Sequence, residues 1–208
     1  MMNVIQERAH QLGLPIPADL GARIEIYLDL LERWNRRIRL VAPASREVWI
    51  ERHVVDSLHA AAAVPGEAQS LLDVGAGGGF PGLVIALLRP ALAVTALEPV
   101  RKKHAFLAAA ARATGATRFV PRAERLDAHL AATPPPYDAA ISRATWSVGE
   151  WLARAAPAIA PGGLVLAMEG RLEEPLPPGA VREPYELGDR RRAIITYRPP
   201  MDPGPQSI

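Results

Sequence analysis

Hydrophobic positions in the first sixty residues recur every three or four residues, which is the period of an α-helix. One such stripe consists of Leu20, Ile24, Leu28, Leu31 and Ile38. A second helix is predicted over residues 46–64, because its apolar side ends at the helix-breaking pair Pro65–Gly66. The pattern therefore predicts an N-terminal helical extension over residues 1–66.

From residue 67 onward, short apolar runs alternate with helical stretches. The runs are SLLDVGA, AVTALEP, TRFVP, PPPYDAAISRA and GGLVLAMEG. This alternation is typical of βαβ units in a parallel sheet with helices on both faces. Two further runs, AVREPYEL and RRAIITYRPP, are separated only by Gly188–Asp189, which predicts an antiparallel hairpin because two residues cannot form a crossover. We expect an α/β core over residues 67–199 and a flexible tail over 200–208.

Composition restricts the class of protein. Apolar residues make up 49% of the chain, which is enough for a packed core, and there is no cysteine for disulfides or thiolate metal sites. The five histidines show no metal-ligand spacing, so we expect no metal site. No apolar run approaches the roughly 20 residues of a membrane span, and the N-terminus does not resemble a signal peptide. These features favour a cytoplasmic protein without membrane contact.

Five glycines fall within the ten residues DVGAGGGFPG, from Asp73 to Gly82. This loop lies between a predicted strand and a helix that begins near Pro81. Ligands of open parallel sheets bind beyond the carboxyl ends of the strands, near such a turn. Gly75, Gly77 and Gly79 are therefore expected to let main-chain N–H groups approach a cofactor. A tight turn without a ligand is the alternative.

Glu98 ends the second predicted strand, where a carboxylate can accept hydrogen bonds from both hydroxyls of a ribose. The loop and Glu98 together predict a cofactor of the adenosine type. Gly77, Gly79 and Gly82 match the dinucleotide pattern GxGxxG, but the match begins late after the strand. The chain also has no room for the substrate domain of a nicotinamide dehydrogenase.

Several segments carry a resemblance to a known family. In chain order they are ERHVVDSLHAA, LLDVGAGGGFPGLVIALLRP, ALEPVRKKHAFL, YDAAISRA and GDRRRAIITYR. They resemble the bacterial small-subunit ribosomal RNA guanine-N7 methyltransferases, formerly called glucose-inhibited division protein B, over nearly the whole chain. The resemblance implies a Rossmann-like class I methyltransferase fold, with a seven-stranded, mostly parallel sheet whose last strand is antiparallel. The chain departs from the family at Glu169, where a lysine is usual, and at Arg39, where an asparagine is usual.

The resemblance implies transfer of a methyl group from S-adenosylmethionine to N7 of one guanine in the decoding region of 16S ribosomal RNA, with S-adenosylhomocysteine as the other product. The expected partner is this RNA or a small-subunit precursor, and the expected state is a monomer. Guanine N7 has a free lone pair and no proton, so alignment is required and a general base is not. The cofactor contacts implied are Gly75, Phe80, Ala123, Glu124 and Arg143, to which the physical arguments above add Gly77 and Glu98.

Arg143 follows the fourth predicted strand, next to the opening where the methyl acceptor enters, and is the expected catalytic residue through positioning. Basic residues crowd two other stretches, and arginine suits phosphate recognition because its guanidinium is bidentate. The residues expected to bind RNA are Arg36, Arg37, Arg39, Lys102 and Lys103. A solvated basic face is the alternative.

Two further interpretations remain open. His53, Asp56 and Ser57 have the residue types of a catalytic triad but no nucleophile elbow, so the pattern favours an internal polar pair that braces the N-terminal helices. Trp146 is a possible stacking platform for a base, although tryptophans are more often core residues. The alternative functions are a catalytically weakened RNA- or nucleotide-binding protein on the same fold and a short-chain dehydrogenase. The latter class needs a Tyr-x-x-x-Lys pair, whereas no lysine follows Lys103.

Overall fold

The structure is a computed structural model that describes residues 2–143, 145–170 and 175–200. A seven-stranded sheet forms its centre. The strands are β1 (Ser70–Val74), β2 (Ala93–Leu97), β3 (Phe119–Arg122), β4 (Tyr137–Arg143), β5 (Ile159–Glu169), β6 (Val181–Leu187) and β7 (Arg190–Tyr197). Their order across the sheet is β3-β2-β1-β4-β5-β7-β6. Residues 201–208 of the predicted tail lie outside the described residues.

The pairing confirms the predicted sheet. The strands β1 to β5 pair in parallel, whereas β7 lies between β5 and β6 and is antiparallel to both. The hairpin turns at Gly188, whose φ of 61° lies in the left-handed region that glycine adopts without steric cost. Both edge strands contain a proline, Pro121 in β3 and Pro184 in β6, which edge positions tolerate because they need fewer ladder hydrogen bonds.

Helices cover both faces of the sheet. They are α1 (Met2–Gln11), α2 (Leu20–Asn35), α3 (Arg46–Trp49), α4 (Asp56–Ala63), α5 (Gly82–Leu88), α6 (Arg101–Thr114), α7 (Leu126–Ala131) and α8 (Val148–Ala155). Gly115, with a φ of 66°, ends α6 in the left-handed conformation that is common after a helix. Within the described residues, no helix combines the length and apolar character that crossing a membrane requires.

The helix predicted over residues 46–64 is present, but it changes from α-helix to π-helix and back to α-helix along its length. A π-helical turn, Ile50–Val55, joins α3 to α4 without a break in the chain direction. The extra residue of such a turn shifts the apolar period by only one position, which a stripe of this length does not distinguish from ordinary helical spacing, so the sequence did not predict it. Its consequence is local: the turn carries His53 and leads directly into Asp56.

The N-terminal helices and the sheet share one apolar core. Tyr27 and Leu28 of α2, Leu58 of α4 and Phe106 of α6 are fully buried in the same cluster. A second cluster covers the other face around Trp151, whose Nε1–H donates to the Leu166 carbonyl at 2.8 Å. The division at residue 66 stays a prediction, and the helical extension packs as part of the core.

A buried histidine makes the stability of this core sensitive to acid. His59 stacks on Tyr185 with ring centroids 3.9 Å apart, and its Nε2 has no hydrogen-bond partner among the described residues. Burial, followed by the charge of Arg8, lowers the pKa of His59 to about 4. Between its usual pKa of 6.5 and that value, the unfolded chain binds a proton at His59 that the folded chain does not. Stability therefore falls as the pH decreases through this window.

We predict that His59→Phe, which keeps an aromatic ring on Tyr185, reduces this acid sensitivity. On going from about pH 7 to about pH 5, the wild-type chain should lose about 1–2 kcal/mol more unfolding free energy than the variant does. Urea unfolding at the two pH values measures the difference. His10→Gln on the exposed side of α1 is the control and should behave as the wild type. Equal pH dependence of His59→Phe and the wild type would contradict the prediction.

Candidate active site

The glycine loop begins at the carboxyl end of β1. Gly75, Gly77 and Gly79 have φ angles of 79°, 53° and 93°, a region that side chains other than glycine's avoid. At Gly75 an added Cβ would also lie 2.5 Å from Oγ1 of Thr145, just after β4. The backbone path therefore requires glycine at all three positions, and close packing against Thr145 requires it at Gly75 as well.

The N–H groups of this loop point into the protein. Those of Gly75 and Ala76 donate to the Leu97 carbonyl at 2.9 and 3.1 Å, and that of Gly77 donates to Glu98 Oε2 at 3.0 Å. For Gly75 and Gly77 the expectation that the loop offers N–H groups to a cofactor is wrong, because Leu97 at the end of β2 and Glu98 directly after it already accept from these amides. A pyrophosphate would find no donors in these three amides, which disfavours a dinucleotide.

A buried carboxylate holds the far end of the loop. Oδ2 of Asp73 accepts a hydrogen bond from the Gly82 N–H at 3.0 Å, and burial raises the pKa of Asp73 to about 7. A Cβ at position 82 would overlap the Asp73 side chain. Gly82, the last glycine of the GxGxxG match, is thus explained by packing against Asp73.

Glu98 keeps acceptor capacity after its own contacts are counted. The side chain is buried, with Oε2 bonded to the Gly77 N–H and Oε1 to the Val100 N–H at 2.9 Å. Each carboxylate oxygen has two lone-pair sites, so one remains on each. These two sites suit a pair of neighbouring hydroxyls, as a ribose presents.

A pocket of about 260 Å³ opens at the carboxyl ends of the strands, next to the glycine loop. Its walls combine apolar side chains with two carboxylates and two guanidinium groups, which suits a flat ring that has polar groups on one edge. The lining residues are Val74, Gly75, Leu97, Pro99, Glu124, Arg125, Leu126, Asp127, Thr145, Trp146 and Arg154. Trp146 forms part of the pocket wall, and its ring stacks on that of Trp151 with the ring centroids 5.7 Å apart.

Not every residue expected to bind the cofactor lines this pocket. Gly75 and Glu124 do, and Ala123 is exposed directly before Glu124. The Phe80 ring is buried between Tyr27 and His53, at centroid distances of 5.2 and 4.9 Å. Phe80 could therefore meet a cofactor only through its backbone.

Arg143 turns from the end of β4 toward the N-terminal helices. Its Nη1 lies 3.0 Å from His53 Nδ1 and 3.5 Å from Asp56 Oδ2, and its Cζ is 5.6 Å from the centre of the Phe80 ring. An arginine only donates, so His53 Nδ1 accepts and the imidazole proton is on Nε2. Burial, followed by the charge of Arg143, lowers the pKa of His53 to about 3, and the ring is neutral.

Asp56 joins three parts of the fold at one carboxylate. Its Oδ1 accepts from the Tyr185 hydroxyl of β6 at 2.6 Å, and its Oδ2 faces Arg143 of β4. His53 and Asp56 therefore connect the helical extension to the sheet, whereas the sequence pattern favoured an internal polar pair that braces the N-terminal helices. Ser57 Oγ donates to the His53 carbonyl at 2.6 Å, so these residues form no triad. Sequence reasoning missed Tyr185, because nothing in its strand pattern distinguishes it.

A second, larger concavity carries much of the predicted RNA surface. It measures about 750 Å³ and lies between the end of α2 and the start of α6. We call it the basic groove, and its lining residues are Arg33, Trp34, Arg36, Arg37, Ile38, Lys102 and Ala105. Arg39 and Lys103 are not among these lining residues, so the structure brings together three of the five residues expected to bind RNA.

The buried Asp56 carboxylate generates a prediction about stability. Asp56→Ala should lower the unfolding free energy by about 2–4 kcal/mol, because it leaves Arg143 and the Tyr185 hydroxyl without their partner. The control is Glu186→Ala, which removes a 3.6 Å ion pair to Arg191 between exposed side chains and should cost less than about 1 kcal/mol. Urea unfolding of both variants decides the matter, and equal losses would show that burial adds nothing at Asp56.

Comparison with known proteins identifies relatives over most of the chain. The family model described as rRNA small subunit methyltransferase G matches residues 21–175. The ribosomal RNA small subunit methyltransferase G of Myxococcus xanthus is 39% identical over an alignment of 175 positions, which covers 77% of this chain and 74% of the relative. The ribosomal RNA small subunit methyltransferase G of Alkalilimnicola ehrlichii is 38% identical over 176 residues, and the alignment covers 84% of this chain and 77% of that relative. Among solved structures, a methyltransferase from Geobacter sulfurreducens aligns with a TM-score of 0.59 at 16% identity, over 88% of this chain and 98% of that one, and shares the fold.

Proposed function

The chain belongs to the family of rRNA small subunit methyltransferase G, and on that premise we propose that it methylates N7 of a guanine in 16S ribosomal RNA with S-adenosylmethionine as donor. One observation carries the proposal. In the β1–β4 register Val74 pairs with Ser142, and Ser142 Oγ donates to the Val74 carbonyl at 2.9 Å. Arg143 and Gly75 are the next residues along these two paired strands. The residue proposed to position the guanine and the loop proposed to hold the cofactor therefore lie at the same end of the sheet.

The residues around the glycine loop fit this donor. S-adenosylmethionine supplies a methyl group that its sulfonium already activates. Glu98, with one free acceptor site on each oxygen, would hold the ribose hydroxyls, and the 260 Å³ pocket would take the adenine ring between its apolar walls. Gly75 and Glu124 line that pocket, which supports their assignment as binding residues. Gly77 contributes by holding Glu98 in place.

The acceptor side of the site is built for orientation. Guanine N7 has a lone pair and no proton, so the chain needs groups that hold the base and leave N7 free. The Arg143 guanidinium can donate to the neighbouring O6, which is an acceptor on the same edge of guanine. His53 beside it is neutral, so it adds no repulsion to the positive charge that methylation places on the base.

The basic groove is placed to hold the RNA that carries this guanine. Its helix α6 begins directly after β2, at the edge of the sheet where the glycine loop lies. The chain leaving the groove reaches the loop, because Leu40 and Val41 lie within about 3.4 Å of the position a Cβ would take at Gly78. Phosphates in the groove would thus flank a base that enters the site. Arg36, Arg37 and Lys102 are the proposed contacts, and Arg39 and Lys103 extend the charge beyond the groove.

The departure at Glu169 does not leave an unpaired charge in the site. Glu169 is buried at the end of β5, and its two oxygens accept from Nε and Nη2 of Arg182 at 2.7 and 2.9 Å. A bidentate pair of this kind compensates the carboxylate within the sheet. The chain therefore accommodates the change by pairing the carboxylate with Arg182.

The proposal is tested at Arg143. Arg143→Lys keeps the charge but loses the planar pair of donors, and we expect methyl transfer to fall about 100-fold or more because misplacement of the reactants is costly. The assay is N7-methylguanine formation, detected by mass spectrometry, on small subunits and naked 16S RNA from a strain that lacks the modification. Arg112→Lys on the exposed end of α6 is the control.

Circular dichroism and calorimetric binding of S-adenosylmethionine accompany the assay, so that a folding or donor-binding defect is recognised. Full activity of folded Arg143→Lys would mean that charge alone suffices. Near-normal activity of Arg143→Ala would place the acceptor elsewhere. A wild-type chain that binds donor and RNA without methyl transfer would support the alternative of a catalytically weakened binding protein.

The basic groove makes a separate prediction about RNA affinity. The double reversal Arg36→Glu/Arg37→Glu should weaken binding of a 16S RNA fragment at least about tenfold and flatten the dependence of log K on log salt by about one to two units, because counterion release is lost. Fluorescence anisotropy over a salt series measures both quantities. The matched control is Arg112→Glu/Arg118→Glu. These exposed arginines lie at the far end of α6 and just before β3, whereas the basic groove lies at the start of α6. Equal effects of the two double variants would show that net charge, and not the groove, binds the RNA.

A further inference from the structure

A buried relay of three side chains ends at the cofactor pocket. Tyr137 begins β4, His129 lies on α7, and Glu124 precedes α7 and lines the pocket. His129 Nδ1 lies 2.8 Å from Glu124 Oε1, and His129 Nε2 lies 2.9 Å from the Tyr137 hydroxyl. Both His129 and Tyr137 are buried, at 4% and 8% exposure.

The chemistry of the carboxylate fixes the direction of the first of these bonds. A carboxylate only accepts hydrogen bonds, so His129 Nδ1 carries the proton that goes to Glu124. The Tyr137 hydroxyl can both donate and accept, so it bonds Nε2 whether or not that nitrogen carries a proton. A half-turn of the imidazole would break both bonds. The relay therefore holds the Glu124 carboxylate in one orientation.

The other oxygen of that carboxylate is available to a ligand. Glu124 Oε2 accepts no hydrogen bond from the residues that the structure describes, and the side chain is 31% exposed at the pocket. Leu97, Leu126 and Trp146 form apolar walls in the same pocket. The ligand that this combination suits is a flat ring with a hydrogen-bond donor on its edge.

We propose that Tyr137 and His129 are positioning residues that aim Glu124 at the exocyclic amino group of the cofactor's adenine. The inference rests on the proposed function, which places an adenosine-type cofactor in this pocket. A carboxylate accepts from an amino group but repels an oxo group at the same ring position. The relay therefore makes the pocket selective for adenine over hypoxanthine, which differs by that one substituent.

A purely structural role for the relay predicts a different result. A histidine that only stabilises α7 would affect the binding of both ring types alike. A histidine that orients Glu124 would affect only the amino-bearing ring. Binding of two cofactor analogues to the full chain separates the two roles.

The probes are S-adenosylhomocysteine and S-inosylhomocysteine, titrated calorimetrically. We expect the wild type to prefer the adenine form by about 10–100-fold, as for a hydrogen bond to a charged group. His129→Phe should reduce that preference to within about threefold by weakening the adenine form alone. His129→Asn, whose amide N–H can replace Nδ1–H, should restore most of it, and Tyr137→Phe should reduce it in part. His104→Phe, at a histidine bonded to the Pro121 carbonyl outside the pocket, is the control.

Each outcome bears on one of the two proposals. An unchanged preference in folded His129→Phe would overturn the inference and leave the relay as a structural brace. If His129→Phe does not fold, the same comparison is made with Tyr137→Phe and His129→Asn. A wild type that binds both analogues equally well overturns the inference but leaves the proposed cofactor in place. A wild type that binds neither overturns the proposed function itself, and the inference with it.

Discussion

The Asp56 carboxylate is the contact on which the arrangement of the site depends. It is buried, and a buried charge is tolerated only where partners compensate it. Its partners come from β4 and from β6, while Asp56 itself belongs to the helical extension. A shift of any of the three parts would break at least one of the two contacts to Asp56. The extension therefore contributes residues to the candidate active site and also packs as part of the core.

Much of the fold was predictable because it depends on the local spacing of apolar residues and on short connections between strands. The alternation of apolar runs with helical stretches predicts the parallel strands, and the two-residue joint at Gly188–Asp189 predicts the hairpin. The left-handed φ angles at Gly75, Gly77 and Gly79 explain a glycine density that was visible at once. These features depend on neighbours along the chain, which a single sequence displays.

The remainder depends on partners that are distant in the chain. Asp56 and Tyr185 are 129 residues apart, and no pattern near Tyr185 indicates a polar partner. The loop amides were assigned to a ligand because their acceptor, the Leu97 carbonyl, is supplied by another strand. His53 and Asp56 were expected to pair with each other, yet the π-helical turn and the end of β4 bring both to Arg143. Long-range contacts of this kind appear only once the strands are in register.

The π-helical turn also restricts how this chain can change in length. An α-helix advances about 100° per residue, whereas the wider i→i+5 ring of the turn accommodates one residue more. Deleting a residue between Trp49 and Asp56 would favour an ordinary α-helix and rotate α4 against α3 by about that angle. Asp56 and His53 would then leave the side of the helix that faces Arg143. Substitutions in this segment are thus constrained by chemistry, but insertions and deletions are constrained by geometry alone, whatever residues they involve.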